Sequence, residues 1–229
     1  MGLLWALVRD VSGLLLRRRP LGRLVRSPGS TATAMTIFVA LCAHGLEQGT
    51  KVPKVREHPI ALPNLPQGLE GLRIAVLADL HATPVNNAKY VTEVVKRTNA
   101  AQPDLVVLPG DLVDGNAATQ AGNIAPLAQL KARYGVWSAP GNHEYYSGYN
   151  AWAQVFEQLQ LNYLPNEARV LEVRGHKLAI SGVGDPAYGR LSRQNDDPTV
   201  PEGVPPDIAT VAEQAKAGGA ELHILLAHQ

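Results

Sequence analysis

Three stretches decide the fold: LRIAVLADLHATP (72–84), DLVVLPGDLVDG (104–115) and GVWSAPGNHEYY (135–146). Each opens on a short apolar run, the composition of a strand buried on both faces. Each run then breaks into a polar cluster: Asp79–Leu80–His81, then Gly110–Asp111–Leu112–Val113–Asp114–Gly115, then Gly141–Asn142–His143–Glu144. A fourth stretch, ELHILLAH (221–228), repeats the pattern and ends on His228. Loops at the carboxyl ends of strands are where α/β proteins build their sites. One polar cluster at a strand end is an ordinary turn; the repetition is what carries information.

Working outward, helical spacing of apolar residues marks NAKYVTEVVKRTNA (87–100), YNAWAQVFEQLQL (149–161) and IATVAEQAKA (208–217) as helices. Residues 120–133 read as mostly helix, interrupted near Pro126. ARVLEVRG followed by HKLAISGVG predicts a hairpin over 168–183, and the Pro-, Gly- and Asp-rich 184–206 reads as loop. Strand–helix alternation predicts an α/β layered domain over 72–229. Residues 49–71, with four prolines, read as an extended linker before it.

The first 48 residues have another character. LLWALVRDVSGLLL (3–16) predicts an amphipathic helix lying on a membrane, or else a surface helix or unfolded terminus. TATAMTIFVALCAHGL (31–46) is an uncharged apolar run of 16 residues, shorter than the roughly 20 of a comfortable membrane span. Arg17, Arg18, Arg19, Arg23 and Arg26 precede it, and no acidic residue lies between Asp10 and Glu47. That flank matches the cytosolic side of a membrane helix and would place the later domain outside the cytoplasm. A secretory signal competes with this reading, as does a cytoplasmic chain with a buried terminus. A net charge of only +1 gives no strong nucleic-acid signal.

The clustered residue types have a shared chemistry. Carboxylate oxygen, imidazole nitrogen and amide oxygen suit divalent Mn, Fe or Zn. Cys42 is the single cysteine, which excludes a thiolate cage and an intrachain disulfide. Two ions sharing one carboxylate would activate water and neutralise a phosphate ester as charge moves to the leaving oxygen. The other histidines, His44, His58, His176 and His223, lack a partner motif; His223, five residues before His228, points to the opposite face of its strand. Tyr145, Tyr146, Tyr149 and Trp152 either line a substrate pocket or pack the next helix.

In order, ADLHATP, PGDLVDG, PGNHEYY and LLAHQ resemble the first four blocks of the calcineurin-like metallophosphoesterase superfamily. The preceding apolar segments are similar to its membrane-associated branch. The resemblance implies a central β-sandwich flanked by helices, two divalent ions, and direct attack of activated water on a phosphate ester without a covalent intermediate. It implies Asp79 and His81 as ligands of one ion, Asp111 as the bridge, and Asn142 and His228 as ligands of the other. His143 is the implied proton donor to the leaving group, held by Asp114, while Glu144 supports the turn. A membrane lipid is the implied second partner. The family also carries a Gly–His–x–His turn after the LLAHQ strand, with one further histidine for each ion. No such block follows His228, so the reading expects a domain incomplete at its C-terminus. The alternative to a hydrolase is then a catalytically impaired, membrane-associated binding or scaffold protein.

Overall fold

The computed structural model describes residues 6–7, 9–12, 27–194 and 202–229. The chain divides into two compact units, Met1–Lys51 and Val52–Gln229.

In the first unit, helix α1 spans Pro28–Thr50. Ser27 caps it, accepting from Ser30 N at 3.1 Å, and Pro28 stands in the first turn, where its missing N–H costs nothing. Hydroxyls of Thr36 and Thr50 donate back to the carbonyls of Ala32 and Leu46, so they need no outside partner. No residue of α1 is buried; Ile37, Val39, Leu41 and Leu46 all lie open. At 23 residues it is longer than the apolar run of 31–46, because residues 28–30 after the Ser27 cap and the polar end at 47–50 are helical too. By length and composition it can cross a membrane. Of the amphipathic segment expected at 3–16, residues 6–7 and 9–12 are helical, and the rest lies outside the described residues.

The second unit is built on two three-stranded sheets. Its elements are β1 (Ile74–Val76), α2 (Ala88–Ala100), β2 (Leu105–Leu108), α3 (Ala117–Ile124), β3 (Val136–Ser138), α4 (Asn142–Tyr146), α5 (Tyr149–Gln158), β4 (Glu167–Val173), β5 (His176–Gly182), α6 (Ala187–Gln194), α7 (Ile208–Ala217) and β6 (Leu222–Leu226). Sheet one is parallel in the order β1-β2-β3, with Ile74 opposite Leu105 and Val107 opposite Trp137. In sheet two β4 and β5 form the expected hairpin, turned by Arg174 and Gly175 at φ 53° and 83°. β6 adds parallel to β5, with Ile180 opposite Ile224.

Alternation along the strands sorts the core into layers. Val106, Leu108 and Val136 face helices α2, α3 and α5 and pack with Val91, Val95, Ile124, Trp152 and Phe156. Leu105, Val107, Trp137 and Ala139 face the other way and pack with Leu178, Ile180 and Leu226 of sheet two. The two sheets therefore share one apolar layer, and α7 covers the hairpin. Each fully buried side chain in these layers contributes about 1.5–3 kcal/mol. The stretch expected as a linker takes part: Val52 packs on the helical core, and Leu65 and Leu69 on the core between the sheets.

Three expectations shift. The helix expected over 120–133 starts earlier, at Ala117, because Asn116 caps it by accepting from Thr119 N. It passes into a 3-10 turn at Ala125–Gln129, where Pro126 lacks the N–H an α-helix needs. Residues 142–146 are a short helix rather than loop. Ala187–Gln194, inside the expected loop, is helical, started by Asp185 Oδ1 accepting from Ala187 N at 2.7 Å.

Candidate metal centre

The strand ends converge because their loops are bonded to one another. His81 N donates to Asp111 O at 3.1 Å, and Ala82 N to Leu112 O at 3.0 Å. Ala139 N donates to Leu108 O at 3.0 Å, bringing the third loop alongside. Gly110 and Gly141 are the point of closest approach. A β-carbon on Gly110 would overlap the backbone of Gly141, and one on Gly141 would overlap Asp111 Oδ1. Gly110 also sits at φ 100°, where side chains are strained.

Glu144, 1% exposed, is the clasp. Its carboxylate accepts from Gly141 N (2.7 Å), Leu112 N (2.8 Å) and Asp111 N (3.0 Å). Burial raises its pKa above the usual glutamate range, and the three N–H donors oppose that rise. The side chain thereby satisfies the otherwise orphaned amides of two turns.

On this frame Asp79, His81 and Asp111 take left-handed backbone angles, φ 54°, 41° and 53°. Such angles are unfavourable for residues with a β-carbon and gather at functional sites. They turn the three side chains towards one point. His81 Nε2 lies 3.8 Å from Asp79 Oδ1 and 3.6 Å from Asp111 Oδ2. His228 Nε2 faces the same two carboxylates, 3.3 Å from Asp111 Oδ2 and 4.0 Å from Asp79 Oδ1. His228 Nδ1 lies 3.2 Å from the Pro109 carbonyl, which can only accept, so the proton sits on Nδ1 and the Nε2 lone pair points at the carboxylates. An imidazole nitrogen and two carboxylates facing one point are the donor types a divalent cation takes. The donor set and its spacing thus fit a divalent ion.

Asp114 receives two imidazoles: His143 Nδ1 on one oxygen and His81 Nδ1 on the other, the latter at 3.3 Å. The rings of His81 and His143 meet edge to face, 4.6 Å between centroids. His143 N donates to Asp111 Oδ1 at 2.9 Å, which fixes the bridge candidate and the short helix α4 together. Asn142 Oδ1 accepts from Gln229 Nε2 at 2.7 Å. All seven residues singled out in the sequence, Asp79, His81, Asp111, Asp114, Asn142, His143 and His228, stand on these mutually bonded loops. The donor atoms of six of them form two clusters that could each hold an ion: Asp79–Asp111–His228 and His81–Asp114–His143.

Of the four aromatic candidates, Tyr145, Tyr149 and Trp152 are buried, and Tyr146 is 51% exposed. Its ring lies 5.7 Å from that of His143, so it borders the site while the others pack the helices. Sequence reasoning missed Asp185, Arg190 and Gln229. Arg190 Nη2 donates to Gln229 Oε1 at 2.9 Å, and the same amide group holds Asn142. Only a fold that returns α6 beside α4 makes that link visible.

This fold and paired imidazole–carboxylate site define a metallophosphoesterase-type protein. Residues 72–229 match the Calcineurin-like phosphoesterase family, and the chain belongs to it. It is similar to "Transmembrane protein with metallophosphoesterase domain" of Danio rerio, 33% identical over 137 residues, covering 59% of this chain and 31% of that one. It is also similar to an "Uncharacterized metallophosphoesterase" of Helicobacter pylori, 31% identical over 185 residues, covering 81% and 45% respectively. The chain therefore spans between about a third and a half of the length of these relatives. Among solved structures it resembles the 5'-nucleotidase precursor from Thermus thermophilus, with a TM-score of 0.46 at 19% identity, covering 69% of this chain and 37% of that one.

Proposed function

We propose that this chain hydrolyses phosphate esters with water activated between two divalent ions. The observation that carries this reading is the shared aim of His81 Nε2 and His228 Nε2 at Asp79 and Asp111. Asp79, His81 and Asp111 would hold one ion, and Asp111, Asn142 and His228 the other. The alternative grouping of His81 with Asp114 and His143 is less favourable, because both imidazoles turn Nδ1 to Asp114 and so spend that carboxylate as a hydrogen-bond acceptor. His81 thereby keeps Nε2 for an ion. When bound, such ions would supply Lewis-acid polarisation of the phosphate and a lowered pKa for water.

His143 is the proton donor. Asp114 anchors its Nδ1, which leaves Nε2 and its proton facing the centre, 3.9 Å from Asp111 Oδ2. There it gives its proton to the leaving oxygen as the ester bond breaks. Asp114 stabilises the charged imidazolium in which that proton is stored. Tyr146, exposed beside His143, borders the leaving group.

The first unit, Met1–Lys51, is the membrane-attached segment, and the second, Val52–Gln229, is the catalytic domain, with the stretch expected as a linker packed into it from Val52 onward. The length of α1, its open apolar surface and the arginines at 17–26 support attachment with the catalytic domain on the extracytoplasmic side. A relative's name, a transmembrane protein with this domain, supports the same pairing.

The test is hydrolysis of bis-p-nitrophenyl phosphate and p-nitrophenyl phosphate by the full chain with added Mn. Asp111→Asn should abolish turnover. A histidine-to-alanine change at His143 should lower kcat by about 100- to 10,000-fold, the usual worth of a general acid, while Mn binding persists. A folded, Mn-binding chain without turnover on either ester would sink the hydrolase reading and leave a binding or scaffold role.

A further inference from the structure

We propose that Arg190 is the substrate-recognition residue of this site and selects phosphate monoesters over diesters. The inference rests on the hydrolase reading above and deepens it by naming a substrate class. Arg190 stands on α6, outside all four strand-end motifs. Its Nη2 donates to Gln229 Oε1 at 2.9 Å, and Gln229 Nε2 donates to Asn142 Oδ1 at 2.7 Å. One amide side chain therefore joins the guanidinium to a candidate ligand of the metal centre. The same Nη2 lies 3.9 Å from Asp185 Oδ1.

Asp185 is a built support rather than a passing neighbour. It is 1% exposed, its Oδ1 accepts from Ala187 N at 2.7 Å, and its N donates to Tyr145 Oη at 3.2 Å. Its Oδ2 is buried and makes no hydrogen bond among the described residues. Burial raises the Asp185 pKa above the usual aspartate range, and the charges of His228 and Arg190 oppose that rise. Tyr145 belongs to α4, the helix carrying Asn142 and His143, and it packs with Tyr149 against Ala187 of α6. The base of α6 is thus fixed to the helix that carries the site, while the Arg190 side chain stays 47% exposed. An arginine pinned at one end and open at the other is suited to receive a ligand.

The charge of the site decides the ligand. Three carboxylates, Asp79, Asp111 and Asp114, converge there, and two divalent ions leave a modest positive excess. A phosphate monoester brings two negative charges and three non-bridging oxygens; a diester brings one charge and two such oxygens. A guanidinium presents a planar fork of donors that matches two phosphate oxygens at once. The additional charge and oxygen of the monoester are what an additional fork can use. Arg190 acts by binding and orienting, and it takes no part in bond breaking.

The experiment compares the full Mn-supplemented chain with Arg190→Ala and Arg190→Lys. Arg190→Ala should raise KM for p-nitrophenyl phosphate about 10- to 100-fold, as loss of a charge-assisted hydrogen bond to a bound anion would. KM for bis-p-nitrophenyl phosphate should move less than about threefold. Arg190→Lys, which keeps the charge and loses the fork, should fall between. Calorimetric titration with inorganic phosphate gives a readout independent of turnover: Arg190→Ala should weaken phosphate binding by the same 10- to 100-fold factor. Equal losses on both esters, or unchanged phosphate binding in a folded Arg190→Ala chain, would overturn the assignment. If the unaltered chain turns over neither ester, the hydrolase reading fails by itself, and the phosphate titration still decides whether Arg190 binds the anion.

Discussion

At the scale of single residues, the site depends on two that touch no substrate. Gly141 lets two loops meet where a side chain would push Asp111 aside. Gly141→Ala should destabilise the domain by about 1–3 kcal/mol, as overpacking does, and weaken Mn affinity more than it disturbs the fold. Urea unfolding and Mn titration of one preparation separate the two effects. Glu144 ties three backbone amides from two loops. Glu144→Ala leaves those buried donors without an acceptor, at about 1–3 kcal/mol each, so an unfolding loss of roughly 3 kcal/mol or more is the expected result. Glu144→Gln keeps one acceptor oxygen and should lose less. Equal losses in the two variants would show that volume, not hydrogen bonding, is what the loops need from this side chain. The metal-ligating candidates were legible as letters because Asp, His and Asn recur after apolar runs. Their left-handed backbones were not, since no propensity places Asp79, His81 and Asp111 there.

Among the elements, α7 and α1 make contrasting cases. α7 was legible to the residue, Ile208–Ala217, because its cap and its apolar spacing agree. Asp207 accepts from Thr210 N at 3.0 Å, and that bond, with the Thr210 hydroxyl, holds its pKa below the usual range. A lowered carboxyl pKa stabilises the fold above the ordinary aspartate value and loses that contribution as pH falls through the lowered one. Asp207→Ala should therefore lower the urea midpoint at pH 7, and the gap from the unaltered chain should close as the pH drops below about 3.9. A gap that persists at low pH would mean the loss is packing rather than capping. For α1 the run of apolar letters understated the helix, because capping by Ser27 and the polar end extend it to 23 residues. Val39→Lys with Leu41→Lys places two charges mid-helix on open positions. At about 2.5–3.5 kcal/mol per charge at a membrane centre, the doubly changed chain should leave the membrane pellet for the soluble fraction. Retention in the pellet after carbonate washing would argue against α1 as the anchor. α6 was hidden for a different reason: Pro186 and Gly189 read as loop, and its start depends on Asp185 being buried beneath Tyr145.

For the whole molecule, the two sheets exist to bring four strand ends to one place. Sheet one presents Asp79, Asp111 and the loop carrying Asn142 and His143 side by side through parallel pairing. Sheet two delivers His228 from the far end of the domain, across 119 positions, to the Pro109 carbonyl. Closing such a site with ions joins elements distant in sequence, so ion binding and folding are linked. At a free Mn concentration about 100 times Kd, the 52–229 unit should gain about 2.7 kcal/mol against unfolding. That corresponds to a rise in Tm of roughly 5–10 °C for a domain of this size, reversed by chelator and absent in Asp111→Asn. A Tm indifferent to Mn would mean that the clusters do not hold ions in the folded chain.

By itself, the amino-acid sequence determined the layered α/β class, the family and the seven polar residues that the fold gathers at its strand ends. Each of these follows from local periodicity, or from short motifs whose letters are adjacent. Tertiary structure alone decided which nitrogen of each histidine faces the centre, because that depends on Asp114 and the Pro109 carbonyl brought from other loops. It also decided the place of Arg190. No spacing in the chain links position 190 to position 142; a helix packed on Tyr145 and Tyr149 does, through one amide side chain between them.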